Sequence, residues 1–528
     1  MLLLFLLHLF GLRLNLLSAG FYIDDWWLIS MAGQGSRFID GVRAFMETGF
    51  FWDRPLEMLH DALILRLSGP PAMDHAWVPQ LVLGSLELAE SFLLFLLLKR
   101  LLDWRGLALL AAGLIALYPN RGGFHYRPNL VCQHLSQTLI LASILVHAHW
   151  WRSRRWPALA ASQALYAMAL LSYEAAMFMP LMLGGAVAGR ALAEGGGRAE
   201  TLKEVLKGLL PYAVVLAVLL LWKWAGIPFL MGSHNPKSGF MALSPSQALK
   251  TLAAGAGCVT LWPLSLSAVR LLDAGRELGW LLIFAPLAAG LAAAALRLKP
   301  EDGPEDASAS AGALAGAVAA AFLGAYAPFL LAESYLPYVN GVMSRVNGAG
   351  AWTGGLLLAA FLWALSRRAS GRVPFVAPWL LLTAFTWTNW VEADAWSRAW
   401  AAQKDILSRL APHTARLHDS NAVLLAGAPR FIHGAPVFDS DYDLNPALRV
   451  TFGRKDLHGN VLTPRMTVEG AELVERYRGR EVHRYPVSSL VIYDYGADRI
   501  IGAADVAVPA LRETGFLSKL FLGPGMEP

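Results

Sequence analysis

Charge is what this sequence has least of. Asp, Glu, Lys and Arg make up only 16% of its 528 residues, against 56% hydrophobic, whereas soluble domains carry about 25% charged residues. So long a chain with so little charge cannot cover a water-facing surface, which excludes an ordinary soluble enzyme. Cysteine is nearly absent. Cys132 and Cys258 each lie in a mostly apolar stretch, so neither a disulfide framework nor a zinc-ligand spacing is present, and both are expected as small core residues. A Gly-rich phosphate loop of the Rossmann or P-loop kind is missing, which argues against a nucleotide-sugar donor bound in a cytosolic domain. No repeat of fixed period is evident, which weakens an inverted-repeat transporter.

What is there is a series of apolar runs, at a mean hydropathy of +0.44 for the chain. Runs of about 17–25 residues match a hydrocarbon core roughly 30 Å thick. Eleven spans are predicted, near 1–20, 76–98, 106–119, 129–148, 157–173, 175–190, 208–226, 279–297, 309–332, 350–366 and 373–390. Residues 1–20 end near Ser18-Ala19-Gly20 but lack a basic leader, so they read as a retained first span rather than a cleaved signal peptide. The chain is therefore expected to be an α-helical polytopic membrane protein. Its excess basic charge sits in short clusters between spans, so membrane lipids, not nucleic acid, are the expected surroundings.

Orientation follows from those clusters. Lys99, Arg100 and Arg105, then Arg152, Arg154 and Arg155, then Arg190, Arg198, Lys203 and Lys207, then Arg297 and Lys299, then Arg367, Arg368 and Arg372 all fall on one side of an eleven-span chain. The positive-inside rule makes that side, and the N-terminus, cytoplasmic. Loops 21–75, 120–128, 227–278 and 333–349 then face out, as does the tail after 390. Residues 251–269 are apolar enough to span, but a span there would reverse every later loop. The stretch 245–278 is read as an interfacial or re-entrant helical hairpin beginning at Ser244-Pro245-Ser246. Residues 301–310 read as a linker.

After Trp390 the composition turns mixed polar. Trp396 to Leu410 reads as an amphipathic helix. Asn421 to Gly427, Leu448 to Phe452 and Ser489 to Tyr495 read as strands. Residues 391–528 are expected to form a small outward-facing α/β domain, and 1–390 the transmembrane domain. Asp439-Ser-Asp-Tyr-Asp443 is superficially similar to a calcium loop but lacks its glycine and terminal glutamate, so a turn cluster is expected.

The informative residues lie in outer loops. Phe21-Tyr-Ile-Asp-Asp-Trp-Trp27 sets two adjacent carboxylates, Asp24 and Asp25, where the first span ends. Adjacent acids repel, and burial disfavours their charge, so a hydroxyl substrate, a cation or an arginine would relieve them; a solvated acidic loop is the bland alternative. Phe51-Trp-Asp-Arg-Pro-Leu56 follows in the same loop. The planar donors of Arg54 match phosphate oxygens, and a salt bridge to Asp53 or Glu57 is its alternative. Arg121-Gly-Gly-Phe-His-Tyr-Arg-Pro-Asn129 is a donor-rich loop with His125, Tyr126 and Arg127. Glu174 ends a helix, and His234 lies on a longer loop of the kind that covers sites.

Together these residues resemble the glycosyltransferase C superfamily, polytopic enzymes that use polyprenyl-phosphate sugars and are related to the dolichyl-phosphate-mannose protein mannosyltransferases. The match rests on the acid pair after the first span, Arg54-Pro55-Leu56 later in that loop, Leu171-Ser-Tyr-Glu174 with an apolar run to Pro180, and Ser344-Arg345 in a late outer loop. Where the family often has Ser-Arg-Tyr, this chain has Val346. The set covers about two-thirds of the chain, leaving the C-terminal domain outside.

The resemblance implies an inverting transfer from a polyprenyl-phosphate sugar to an extracytoplasmic glycan, lipid or protein. Asp25 or Asp24 would be the general base, with Asp25 preferred, and Arg54, Arg127 and Arg345 would bind the donor phosphate. Glu174, His125, Tyr126 and His234 would contact substrate. For some family members it also implies a divalent cation, magnesium or manganese, for which Asp24 and Asp25 are the ligands on offer. The expected location is a bacterial inner membrane with the C-terminal domain periplasmic. A transporter or flippase of lipid-linked material, and a non-catalytic envelope assembly protein, are the competing readings.

Overall fold

In a computed structural model of the chain, the described residues are 2–12, 16–32, 37–49, 51–68, 75–102, 104–231, 244–272, 279, 281–297, 307–331, 335–368, 373–416, 422–454, 457–463, 465–477 and 480–502. The protein is mostly helical, with a small sheet region near its C-terminus. It divides into two compact units. The first comprises Met1–Leu17, Phe45–Ile64 and Trp77–Asp394; the second comprises Ser18–Ala44, Leu65–Ala76 and Ala395–Pro528. Ser18–Ala44, which includes the acid pair, thus clusters with the C-terminal residues.

The first unit is helical. Among the described residues four helices are long and apolar enough to cross a membrane: Trp77–Leu102, Pro128–Ser153, Arg198–Phe229 and Ser308–Leu330. Shorter apolar helices include Arg105–Ala116, Leu181–Ala193, Leu282–Ala295 and Gly350–Ser366. Leu97, Leu98, Ala108, Ala111, Leu114, Ile140 and Leu141 fill the core between them.

One helix pair packs backbone on backbone. A Cβ on Gly189 would lie 1.9 Å from the Gly312 carbonyl, and one on Gly316 would lie 1.9 Å from the Gly185 carbonyl. Gly185/Gly189 on Leu181–Ala193 thus face Gly312/Gly316 on Ala307–Tyr326. Lipid tails are as apolar as leucine, so helices in a bilayer associate through such close approach rather than through hydrophobic burial.

The described part of the stretch read as an interfacial or re-entrant hairpin holds two helices, Pro245–Val259 and Leu261–Leu271, bent by 49° at a short break. The break has a local cause: Pro263 carries no N–H, and its ring conflicts with the carbonyl four residues earlier, at Val259, where the first helix stops. The last apolar run and the amphipathic helix after it are one helix, Val373–Leu410. Nothing between them breaks it, since Val391-Glu-Ala-Asp-Ala395 holds neither glycine nor proline.

Among its described residues the second unit carries nine strands: β1 (Ala422–Ala426), β2 (Phe431–Ile432), β3 (Ala435–Pro436), β4 (His458–Val461), β5 (Met466–Glu469), β6 (Glu472–Tyr477), β7 (Arg480–Pro486), β8 (Leu490–Asp494) and β9 (Arg499–Gly502). The main sheet has the order β4-β1-β8-β9. β1 is parallel to both β4 and β8, and β9 is antiparallel to β8. β5-β6-β7 form an antiparallel meander. Leu424, Ala426, Leu462, Leu473 and Ile492 make the local core.

Leu448 to Phe452, expected as a strand, is the end of the helix Asp441–Phe452 that crosses over from β1 to β4. The acidic cluster decides this. Ser440 Oγ accepts from the Tyr442 amide at 3.3 Å, and the Asp443 carboxylate accepts from the Ser440 and Asp439 amides at 3.0 and 2.7 Å. That is a capping box, and Gly453 at φ 66° ends the helix. The expected turn cluster is therefore a helix start.

Candidate functional site

The acid pair opens a short helix, Asp24–Ala32, in the second unit. Asp25 is buried, and its Oδ2 accepts from the Tyr22 amide at 2.7 Å, closing the turn. Asp24 is only half-buried. Between them and Tyr22 sits Ile23 at φ 49°, a region that β-branched residues avoid. Aromatic packing holds this strained turn. The Tyr22 hydroxyl donates to the Trp396 carbonyl at 2.7 Å, and its ring meets Trp396 edge-on at 4.7 Å. The Trp26 indole donates to Gln403 Oε1 at 2.8 Å, and Phe21 packs edge-on against Trp400 at 5.9 Å. Trp27 stacks on Tyr442. Burial pushes the Tyr22 phenol well above its ordinary range, so it serves as a neutral donor.

The second cluster lies in the first unit. Arg54 grips Glu174 with two bonds, Nε to Oε2 at 2.8 Å and Nη2 to Oε1 at 2.6 Å. Its Nη1 reaches Glu57 at 3.3 Å, and its guanidinium lies 4.1 Å over the Tyr173 ring. Burial opposes the charge of Arg54, but Glu174 and then Glu57 outweigh it and hold the guanidinium well above its ordinary value. Lys223 Nζ meets Glu174 Oε2 at 3.2 Å. Arg345 acts electrostatically on Tyr173, as Arg54 does, and lies 5.5 Å over Tyr335. Three residues singled out in the sequence, Arg54, Glu174 and Arg345, thus share one neighbourhood, and Lys223 joins them. Lys223 was legible only as a lone cation within an apolar run.

His125, Tyr126 and Arg127 turn inward and are fully or nearly fully buried. His125 Nδ1 bonds Glu87 Oε1 at 2.6 Å, and the Tyr126 hydroxyl donates to the Asn389 carbonyl at 2.9 Å. Beside them His134 Nδ1 bonds Glu90 Oε1 at 2.9 Å and lies 3.4 Å from Glu87, while His8 lies 3.5 Å from Glu87. Glu87 and Glu90 sit on the long apolar helix Trp77–Leu102. Sequence reading, attentive to outer ends, passed over both; two glutamates three residues apart in an apolar run were the signal.

Residues 120–128 and 335–349 also come together. Asn347 Nδ2 donates to the Asn120 and Tyr338 carbonyls at 2.8 and 2.6 Å, Ser344 Oγ accepts from the Gly123 amide at 2.8 Å, and Asn120 donates to the Cys258 carbonyl at 2.9 Å. His234 lies outside the described residues. Among the described residues no group of three or more His, Cys, Asp or Glu is arranged to hold a metal ion. No family model matches the chain, and no curated protein is significantly similar to it.

Proposed function

We propose that the chain is a membrane glycosyltransferase of the C superfamily type, with about eleven spans and its C-terminal α/β region outside. It moves a sugar from a polyprenyl phosphate to an extracytoplasmic glycan, lipid or protein. The observation that carries the reading is the bidentate Arg54–Glu174 pair, which joins two motifs, 120 residues apart, that the resemblance selects independently. In the reaction an acceptor hydroxyl attacks the anomeric carbon, a carboxylate takes its proton, and the bond to phosphate breaks with inversion. Cations stabilise the charge growing on the lipid phosphate. Of the two acids, half-buried Asp24 is the better base, because Asp25 is turned inward to cap the strained turn; this reverses the preference drawn from sequence.

The test is transfer from a panel of radiolabelled polyprenyl-phosphate sugars by purified protein in nanodiscs. Turnover by the wild type that disappears in Asp24→Asn is the expected result. Full activity in both Asp24→Asn and Asp25→Asn would sink the reading.

One observation favours the transporter reading. Glu87, Glu90, His8, His125 and His134 form a buried acid–imidazole chain, and ionisable groups inside a span are costly and commonly mark proton or substrate paths. Movement of lipid between vesicle leaflets without sugar transfer would make this the function.

A further inference from the structure

The helix Arg198–Phe229 is unlike its neighbours. Only 11% of its apolar window is buried, and Leu210, Val214, Val218, Leu221, Trp224 and Phe229 are exposed along it. Near its end the backbone opens into a π-helical turn, Trp222–Gly226. Such turns add a residue to the helix and reorient side chains, often at functional sites. Here Trp222 and Trp224 stay exposed, while Lys223 between them is buried and reaches Glu174. A lysine has thus been drawn from a lipid-compatible surface into a polar cluster.

Of the three ion-paired residues Arg54, Glu174 and Lys223, Glu174 is the most accessible. Its side chain is 34% exposed, against 13% for Arg54 and 10% for Lys223. The two cations lie beneath a carboxylate that presents one oxygen pair to the guanidinium fork and shares one of those oxygens with the ammonium. A phosphate offers the same oxygen pair, with further acceptors to spare.

We propose that Glu174 occupies, in this state, a site for a lipid-borne phosphate formed by Arg54 and Lys223. The lipid's isoprenoid chain runs along the exposed face of the Arg198–Phe229 helix. The incoming phosphate displaces Glu174, so the cations exchange one anion for another and are never left bare. The inference deepens the transferase reading and rests on it for the choice of an isoprenoid.

The experiment measures binding of radiolabelled polyprenyl monophosphate to the full chain in nanodiscs, with inorganic phosphate and unphosphorylated polyprenol as competitors. Lys223→Gln should weaken binding about tenfold or more, the loss of one charged hydrogen bond, and Lys223→Arg should retain it. Glu174→Gln should tighten binding, because its carboxylate no longer competes; a purely structural salt bridge would give weaker binding or none. If Lys223→Gln fails to fold, the Lys223→Gln/Glu174→Gln pair, which leaves no unbalanced charge, takes its place. Unchanged binding in Lys223→Gln (or, for the double variant, binding no weaker than that of Glu174→Gln), weaker binding in Glu174→Gln, or competition by inorganic phosphate as strong as by the lipid would overturn the site. Failure of the transferase reading looks different: tight, Lys223-dependent binding of polyprenyl phosphate with no turnover of any sugar donor.

Discussion

Ile23 holds a conformation that costs about 1–2 kcal/mol for a side chain with a Cβ, and its neighbours explain why it persists. Tyr22 and Trp26 are tied on either side of it to Trp396 and Gln403. Asp25→Ala leaves the Tyr22 amide without this acceptor and should destabilise the protein by about 1–3 kcal/mol. Asp24→Asn should leave the thermal midpoint within a degree or two of wild type, by the usual size of surface substitutions, while abolishing transfer. Gly20→Ala is a sharper probe. Its Cβ would fall 1.9 Å from the Trp400 ring, so the ring must move, at about 1–3 kcal/mol, and transfer should fall with it.

A pH dependence belongs at this scale too. His60 lies 2.8 Å from Asp61. Burial pulls the imidazole down, but Asp61 outweighs it and the net shift is upward from 6.5. A raised histidine stabilises the fold fully below its unfolded pKa and loses that contribution as pH rises through the folded value. The thermal midpoint should therefore fall over that range above pH 6.5, and His60→Gln should flatten the fall. The acid pair and Arg54 were legible in sequence because each stands where an apolar run stops. The residues that hold the acid pair's turn were not, because Trp400 and Gln403 lie some 380 positions away and a sequence does not announce such pairings.

At the scale of elements, the glycine-faced pair tolerates no added side chain, since a Cβ on Gly189 or Gly316 would lie 1.9 Å from the facing carbonyl. Gly312→Leu should drive Leu181–Ala193 and Ala307–Tyr326 apart and prevent a stable fold, read as loss of monodisperse protein in detergent. Gly197→Ala is the matched control. Gly197 has φ −64°, and its added Cβ meets nothing closer than 4.0 Å, so the change should stay within about 0.5 kcal/mol. Most helices were readable from their apolar runs. The errors were local. Composition suggested a strand at Leu448 to Phe452, where Ser440 and Asp443 had already begun a helix. The change in polarity near 390 falls inside one helix, Val373–Leu410, because no glycine or proline stands there to end it.

For the whole molecule, the positive-inside assignment makes a direct prediction. A cysteine introduced at Arg198 should be shielded from a membrane-impermeant thiol reagent added outside intact cells. One introduced at Val482, on β7 and 51% exposed, should react. The reverse pattern would invert the topology and move the acid pair's loop to the cytoplasm, where polyprenyl-phosphate sugars facing outward could not reach it. The expected orientation rests on basic residues that cluster in alternate loops. That Ser18–Ala44 and Leu65–Ala76 group with the C-terminal residues was not legible, since those stretches share no sequence pattern.

Cys132 and Cys258 are unpaired and buried, at 1% and 0% exposure. A thiol reagent in water meets neither, so the native chain supplies its own blank. Single-cysteine derivatives for labelling, cross-linking or distance measurement can be built directly on the wild-type sequence, without first replacing two residues that help fill its core.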